Sequence, residues 1–299
     1  MVNIECVVDA HNYLGEGPVW DVEEGALYWV DMLEQQVWRY EPTSGKTKTW
    51  TLPKTVGAFA LRKNGGGIVT MRDGFYFLDL ETGATELIVE ADADNPRIMF
   101  NDGKVDPKGR FFAGGEDEIS ASPICALWRL DPDLSLHELE RGIVCNNGPS
   151  WSPDRKTFYH TDSYKEEIYA YDYDLATGDI SNKRVFASTV EENGIPDGST
   201  IDAEGYLWNA RIVAGELVRY TPEGEIVRRI PMPVPWITSV MFGGDDLDVI
   251  YVTSMGRIDF LGPDAQAHFG NPEPKPNSGG IFSVSGTGVR GLPETRFGG

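Results

Sequence analysis

Glu16, Asn101, Asn147 and Asp197 bring two carboxylates and two side-chain amides to one register of a repeated pattern. Each stands four residues before an apolar residue that leads into a polar or glycine-rich turn: Trp20 before Asp21-Val22-Glu23, Val105 before Asp106-Pro107-Lys108-Gly109, Trp151 before Ser152-Pro153-Asp154, and Ile201 before Asp202-Ala203-Glu204-Gly205. Leu61 and Phe242 anchor two further copies, with Gly57 and Thr238 at the matching position. Equivalent positions around one axis form a ring, so the four oxygen-bearing side chains would converge on a common point. Carboxylate and amide oxygens are ligands for hard divalent cations such as calcium, magnesium and manganese. Glu16, Asn147 and Asp197 would supply three, leaving positions for water or substrate. Asx residues beside glycine also simply make turns. Turn chemistry, however, does not require a glutamate at position 16, nor four oxygen donors at one register.

The elements that must hold these side chains follow from the spacing. The anchors Trp20, Leu61, Val105, Trp151, Ile201 and Phe242 are 41, 44, 46, 50 and 41 residues apart. A period of about 40 to 50 residues filled with short strands is the signature of propeller blades. After each anchor turn comes a run rich in aromatic and β-branched residues, such as Ala26-Leu27-Tyr28-Trp29-Val30 or Thr157-Phe158-Tyr159-His160-Thr161. A third run follows, such as Val37-Trp38-Arg39-Tyr40 or Leu127-Trp128-Arg129-Leu130, and both kinds read as strands. Turns such as Ser44-Gly45, Thr82-Gly83 and Thr177-Gly178 lead to a short fourth strand, glycine supplying the positive φ that tight hairpins need. No segment keeps a 3.6-residue apolar period long enough for a helix. The expected fold is all-β, a six-bladed β-propeller forming a single domain over residues 1–299. The N-terminal strand Ile4-Glu5-Cys6-Val7-Val8 is expected to close it by pairing in the last blade. Residues 116–123 lengthen the third blade and 256–280 the sixth, and long loops in compact domains tend to carry function.

Composition narrows the function classes. A net charge of −21 argues against nucleic acid as a partner, because phosphate binding depends on clustered Lys and Arg. No stretch approaches the length of a membrane span, and the first residues lack a basic region followed by an apolar run. Cys6, Cys125 and Cys145 form neither a metal cluster nor an even disulfide framework; they read as packing residues of a cytoplasmic protein. His160 reads as a core imidazole, and no His pair at ligand spacing or Gly-x-Ser-x-Gly nucleophile motif is present. Trp236, two residues before Thr238, is a candidate wall of the site.

Together the motifs resemble the gluconolactonase, senescence marker protein and regucalcin family. They are Leu14-Gly15-Glu16-Gly17-Pro18-Val19-Trp20, Phe100-Asn101-Asp102-Gly103-Lys104-Val105-Asp106, Asn147-Gly148-Pro149-Ser150-Trp151-Ser152, Ile195-Pro196-Asp197-Gly198 and Gly279-Gly280-Ile281-Phe282. The resemblance runs over nearly the whole chain, and its details look closer to bacterial sugar lactonases than to the animal protein. It implies one divalent cation near the axis: calcium first, with zinc, manganese, magnesium or ferrous iron as alternatives. By position Glu16, Asn147 and Asp197 match the family's metal ligands, and Asn101 a residue touching metal-bound water or substrate. Two departures bear on the substrate. Animal members carry an Arg two residues before Asn101, where this chain has Met99, with Arg97 two further back. They also carry a substrate-contacting Glu in the third-blade loop, for which Glu118 is the nearest counterpart. Arg97 and Glu118 are therefore expected to bind substrate.

The resulting expectation is a metal-dependent lactonase that opens a pentono- or hexonolactone to the aldonic acid, with Asp197 as ligand and catalytic base. Its partner would be the small-molecule sugar lactone, with no nucleic acid and no membrane, and the chain a monomer or weak homo-oligomer. Two alternatives stand beside it: an organophosphatase or arylesterase-like hydrolase on the same scaffold, and a non-catalytic metal-binding or interaction propeller.

Overall fold

The computed structural model describes residues 1–118, 121–259 and 272–299. Parts of both interrupting stretches, 119–120 and 260–271, lie outside the described residues. Twenty-four strands form six four-stranded antiparallel sheets, each one blade. The innermost strands of the blades are Gly15–Asp21, Val56–Leu61, Ile98–Val105, Asn146–Trp151, Ile195–Ile201 and Ile237–Gly243. The N-terminal strand Asn3–Val8 pairs antiparallel with Ile281–Ser285 as the outermost strand of the sixth sheet, so the expected closure is the observed one. Among the described residues helical structure is limited to one 3-10 turn, Ser163–Lys165.

All six anchors are buried near the ends of their inner strands. The core lies between adjacent blades, and an aromatic pair crosses every interface. Tyr28 and Phe59 stack at 5.1 Å between centroids, Phe75 meets Phe100 at 5.2 Å, and Phe112 meets Trp151 at 5.1 Å. Phe186 meets Tyr220 at 6.1 Å, Trp208 meets Phe242 at 6.1 Å, and Tyr251 closes the circle against Trp20 at 5.4 Å. Such pairs add about 0.5–1.5 kcal/mol each beyond their area burial, which sets the rotation of each blade against the next.

Every inner strand is irregular at the ring position. The register shifts between Glu16 and Val19, Val56 and Ala58, Phe100 and Asp102, Asn147 and Ser150, Pro196 and Ser199, and Ile237 and Val240. A bulge leaves residues out of the ladder and re-aims their side chains, here at the position where the sequence carries its oxygen donors. Gly17 and Gly148 take positive φ at two of these bulges. Gly198 meets a different demand: a Cβ there would stand 2.0 Å from Ser239 Oγ on the next blade. Gly57 explains the silent second blade, since a Cβ would fall 2.4 Å from the carbonyl oxygen of Phe100.

Candidate metal centre

Glu16, Asn101, Asn147 and Asp197 line one open-mouthed cavity of about 610 Å³, mouth included, where the inner strands converge. All four are between 2 and 7 % exposed. The other two ring positions complete the circle without reaching the cavity: Gly57 has no side chain, and the Thr238 hydroxyl ties blade six to the Gly15 carbonyl oxygen.

Each donor is aimed by its neighbours. The Asn147 side-chain amide donates to Ser163 Oγ at 2.8 Å, which turns Oδ1 the other way. That Oδ1 is buried and has no hydrogen-bond partner. A buried amide oxygen left unmatched costs about 1–3 kcal/mol, so its persistence beside two carboxylates suits a ligand at that place. Asn101 Nδ2 donates to the Asn146 carbonyl oxygen at 2.8 Å, leaving its oxygen as the acceptor on offer. Glu16 Oε2 accepts from the Gly17 amide at 2.9 Å, and Asn209 holds the Asp197 backbone oxygen at 2.8 Å. Beneath them Asp102 joins two blades, accepting from the Gly103 amide at 2.7 Å and the Gly148 amide at 2.8 Å.

The electrostatics are those of buried acids crowded together. Burial and then repulsion from Asp197 and Asp102 push the Glu16 carboxyl well above the usual range. Burial and then the charges of Asp102 and Glu116 do the same to Asp197. Burial also raises Asp102, held back by the Gly148 amide and Lys104. Carboxylates crowded in this way bind a cation or a proton. Among the described residues no group of three or more His, Cys, Asp or Glu could hold a metal. The donors here are two carboxylates and the unmatched amide oxygen, an all-oxygen set that fits a hard cation.

Two substrate-binding expectations are placed elsewhere. Arg97 is drawn to Asp117, and Glu118 pairs with Arg72; neither lines the cavity among the described residues. The carboxylate that does line it is Glu116, two residues earlier, at the end of the strand Phe111–Asp117. Its Oε2 accepts from the Cys145 thiol at 3.6 Å, and burial followed by the charge of Glu118 pushes its carboxyl up to about 7. Cys145, expected to be packing, lines the cavity and accepts weakly from Asn101 and Asn147 at 3.6 and 3.7 Å. Burial raises this thiol well above its ordinary value, so it is not a thiolate nucleophile. Trp236 is a wall of the cavity, with Leu14, Ile212 and Met255. His160 is a core residue: its Nε2 meets Asn146 Oδ1 at 2.8 Å, and burial lowers its pKa to about 3.

Comparisons with known proteins place the chain in a family. The family model described as the SMP-30/gluconolactonase/LRE-like region matches residues 14–256. Regucalcin from Xenopus laevis is 38% identical over 304 aligned residues, spanning 100% of this chain and 99% of its own. The solved luciferin-regenerating enzyme superposes with a TM-score of 0.89 at 30% identity, covering 99% of both chains. Regucalcin from Agrobacterium tumefaciens, described as a calcium-binding protein, gives 0.88 at 28% identity, covering 98% of this chain and 96% of that one. The matched span covers most of the chain, and the chain belongs to the SMP-30/gluconolactonase/LRE-like family.

Proposed function

We propose that this protein hydrolyses a sugar aldonolactone, a pentono- or hexonolactone, to the open aldonic acid, using one divalent cation held by Glu16, Asn147 and Asp197. The observation that carries the reading is the unmatched, buried Asn147 Oδ1 beside two carboxylates raised by burial and then by neighbouring acids. A bound cation would supply Lewis-acid polarisation of an ester carbonyl. Calcium is the first choice, from the all-oxygen donor set and the calcium-binding regucalcin relative; zinc, manganese, magnesium and ferrous iron are the alternatives.

The chain's own groups do the rest. Asn101 orients the substrate or the attacking water through its free amide oxygen. Asp197 takes a proton as the water oxygen bonds to the lactone carbonyl carbon. The ring C–O bond breaks, and that proton passes to the departing ring oxygen, which becomes a hydroxyl. Leu14, Ile212, Trp236 and Met255 exclude bulk water on the far wall and strengthen every charge interaction inside. The three cysteines are unpaired, which suits a cytoplasmic location.

The test is proton release by metal-stripped protein with a panel of pentono- and hexonolactones, before and after each cation is returned. Turnover restored by one cation supports the reading. Turnover of phenyl acetate or paraoxon alone would favour the arylesterase alternative, to which the apolar wall is suited. Cation binding without turnover of anything would leave a binding propeller.

A further inference from the structure

Among the described residues the cavity carries no compensating base. No Lys, Arg or His of the described residues lines it. The nearby bases are paired with other acids: Arg72, whose charge also reaches Glu116, with Glu118, Arg97 with Asp117, and Lys104, whose charge reaches Asp102, with Glu294. Glu116 is a third carboxylate, outside the candidate ligand set, and no salt bridge reaches it among the described residues. Its cross-strand partner is Met99, buried and uncharged. Its position is fixed rather than adventitious. Glu116 bridges Cys145 across the blade interface, and its carboxylate takes the Cys145 thiol at 3.6 Å. The preceding Gly114 allows this close approach, since a Cβ there would lie 2.2 Å from the Asn146 side chain.

We propose that Glu116 is a specificity-determining residue that restricts the site to uncharged lactones, rejecting those with a phosphate or second carboxylate, and that speeds the departure of the anionic product. The inference rests on the lactonase reading. A like charge about 12 Å away at an effective dielectric of about 20 changes affinity about tenfold, and a closer one changes it more. Ring opening turns an uncharged lactone into a carboxylate, so the same charge that refuses an anionic substrate also expels the product.

The experiment compares kcat/KM for glucono-1,5-lactone with that for its 6-phosphate, and for galactono-1,4-lactone with glucaro-1,4-lactone. Wild type, Glu116→Gln and Glu116→Lys are measured at pH 8, above the value of about 7 to which burial pushes the Glu116 carboxyl, with the activating cation, and gluconate inhibition is measured alongside. Wild type should favour the uncharged member of each pair at least tenfold. Glu116→Gln should reduce that preference about tenfold and strengthen gluconate inhibition, and Glu116→Lys should do more of both. Damage to the fold lowers both members of a pair together and leaves the ratio in place, so the ratio reports charge alone. An unchanged ratio and unchanged gluconate inhibition in both variants, with lactones still turned over, overturn this inference and leave the lactonase reading standing. If wild type turns over no lactone, the lactonase reading falls and this inference falls with it.

Discussion

The inner strands carry acids at both ends, and the two ends treat them differently. At the far end, five residues beyond the ring, Asp21, Asp106 and Asp202 are buried and each meets an arginine. Arg296 holds Asp21 at 2.7 and 3.0 Å, and Arg110 holds Asp106. Asp202 takes Arg219 at 2.8 Å and Trp208 Nε1 at 2.9 Å. At the cavity end of the same strands, among the described residues, Glu16 and Asp197 pair with no base and Asn147 Oδ1 has no hydrogen-bond partner. Repeats that are equivalent in backbone have thus been completed by arginine at one end and left incomplete at the other. Buried acids paired with an arginine read as structural, and buried acids crowded together without one are candidates for function.

Substitution should separate the two ends most sharply. Asp197→Asn should lower lactone kcat/KM by at least about a thousandfold while leaving metal-free thermal stability unchanged or higher, as kinetics and calorimetry will show. Arg110→Met at the far end should do the reverse. It strands a buried Asp106 and should cost about 3–5 kcal/mol of unfolding free energy in urea titrations, with kcat/KM at saturating cation within a few-fold of wild type. A variant at the far end that abolished activity without loss of stability would erase the distinction.

Much of the site was legible because the repeat fixes a register, and the register places Glu16, Asn101, Asn147 and Asp197 on one circle whatever the blade length. The bulges that turn them inward are readable only in part, through Gly17 and Gly148. Glu116 fell within the third-blade stretch expected to carry function but was not singled out, because it lies outside the repeated register, at the end of a second strand that runs past its counterparts. Its signal was the alternation Phe112, Gly114, Glu116 on the face toward blade four. Arg97 and Glu118 were chosen by closeness in sequence to motif positions. In three dimensions Asp117 and Arg72 claim them. Cys145 was read by composition, although it stands two residues before Asn147 and shares its face.

The pH dependence of stability should sharpen the contrast further. His160 is held neutral, its pKa lowered to about 3 by burial, while the unfolded chain takes up a proton below about pH 6.5. Its contribution is complete above pH 6.5 and lost as pH falls, reaching about 2 kcal/mol by pH 5. His160→Gln should flatten that slope in denaturant titrations. The cavity acids act with the opposite sign. Glu16, Asp197 and Glu116 are raised, so metal-free protein holds protons that the unfolded chain has released, and it loses stability as pH rises from about 4.5 toward and beyond 7. The rise in Tm on adding the cation should therefore grow between pH 5 and pH 8. The smallest effect expected is in Glu16→Gln, where metal-free Tm should rise by a few degrees as one repelling charge is removed and the response to cation should disappear.

The central claim is that the incomplete end of the strands binds one divalent cation through Glu16, Asn147 and Asp197. Calorimetric titration of metal-stripped wild type and Asn147→Leu with calcium, and separately with manganese, tests it most directly. The account predicts one equivalent bound per wild-type chain and no binding heat in Asn147→Leu with its fold intact. Undiminished binding by Asn147→Leu, or none by wild type, would contradict it.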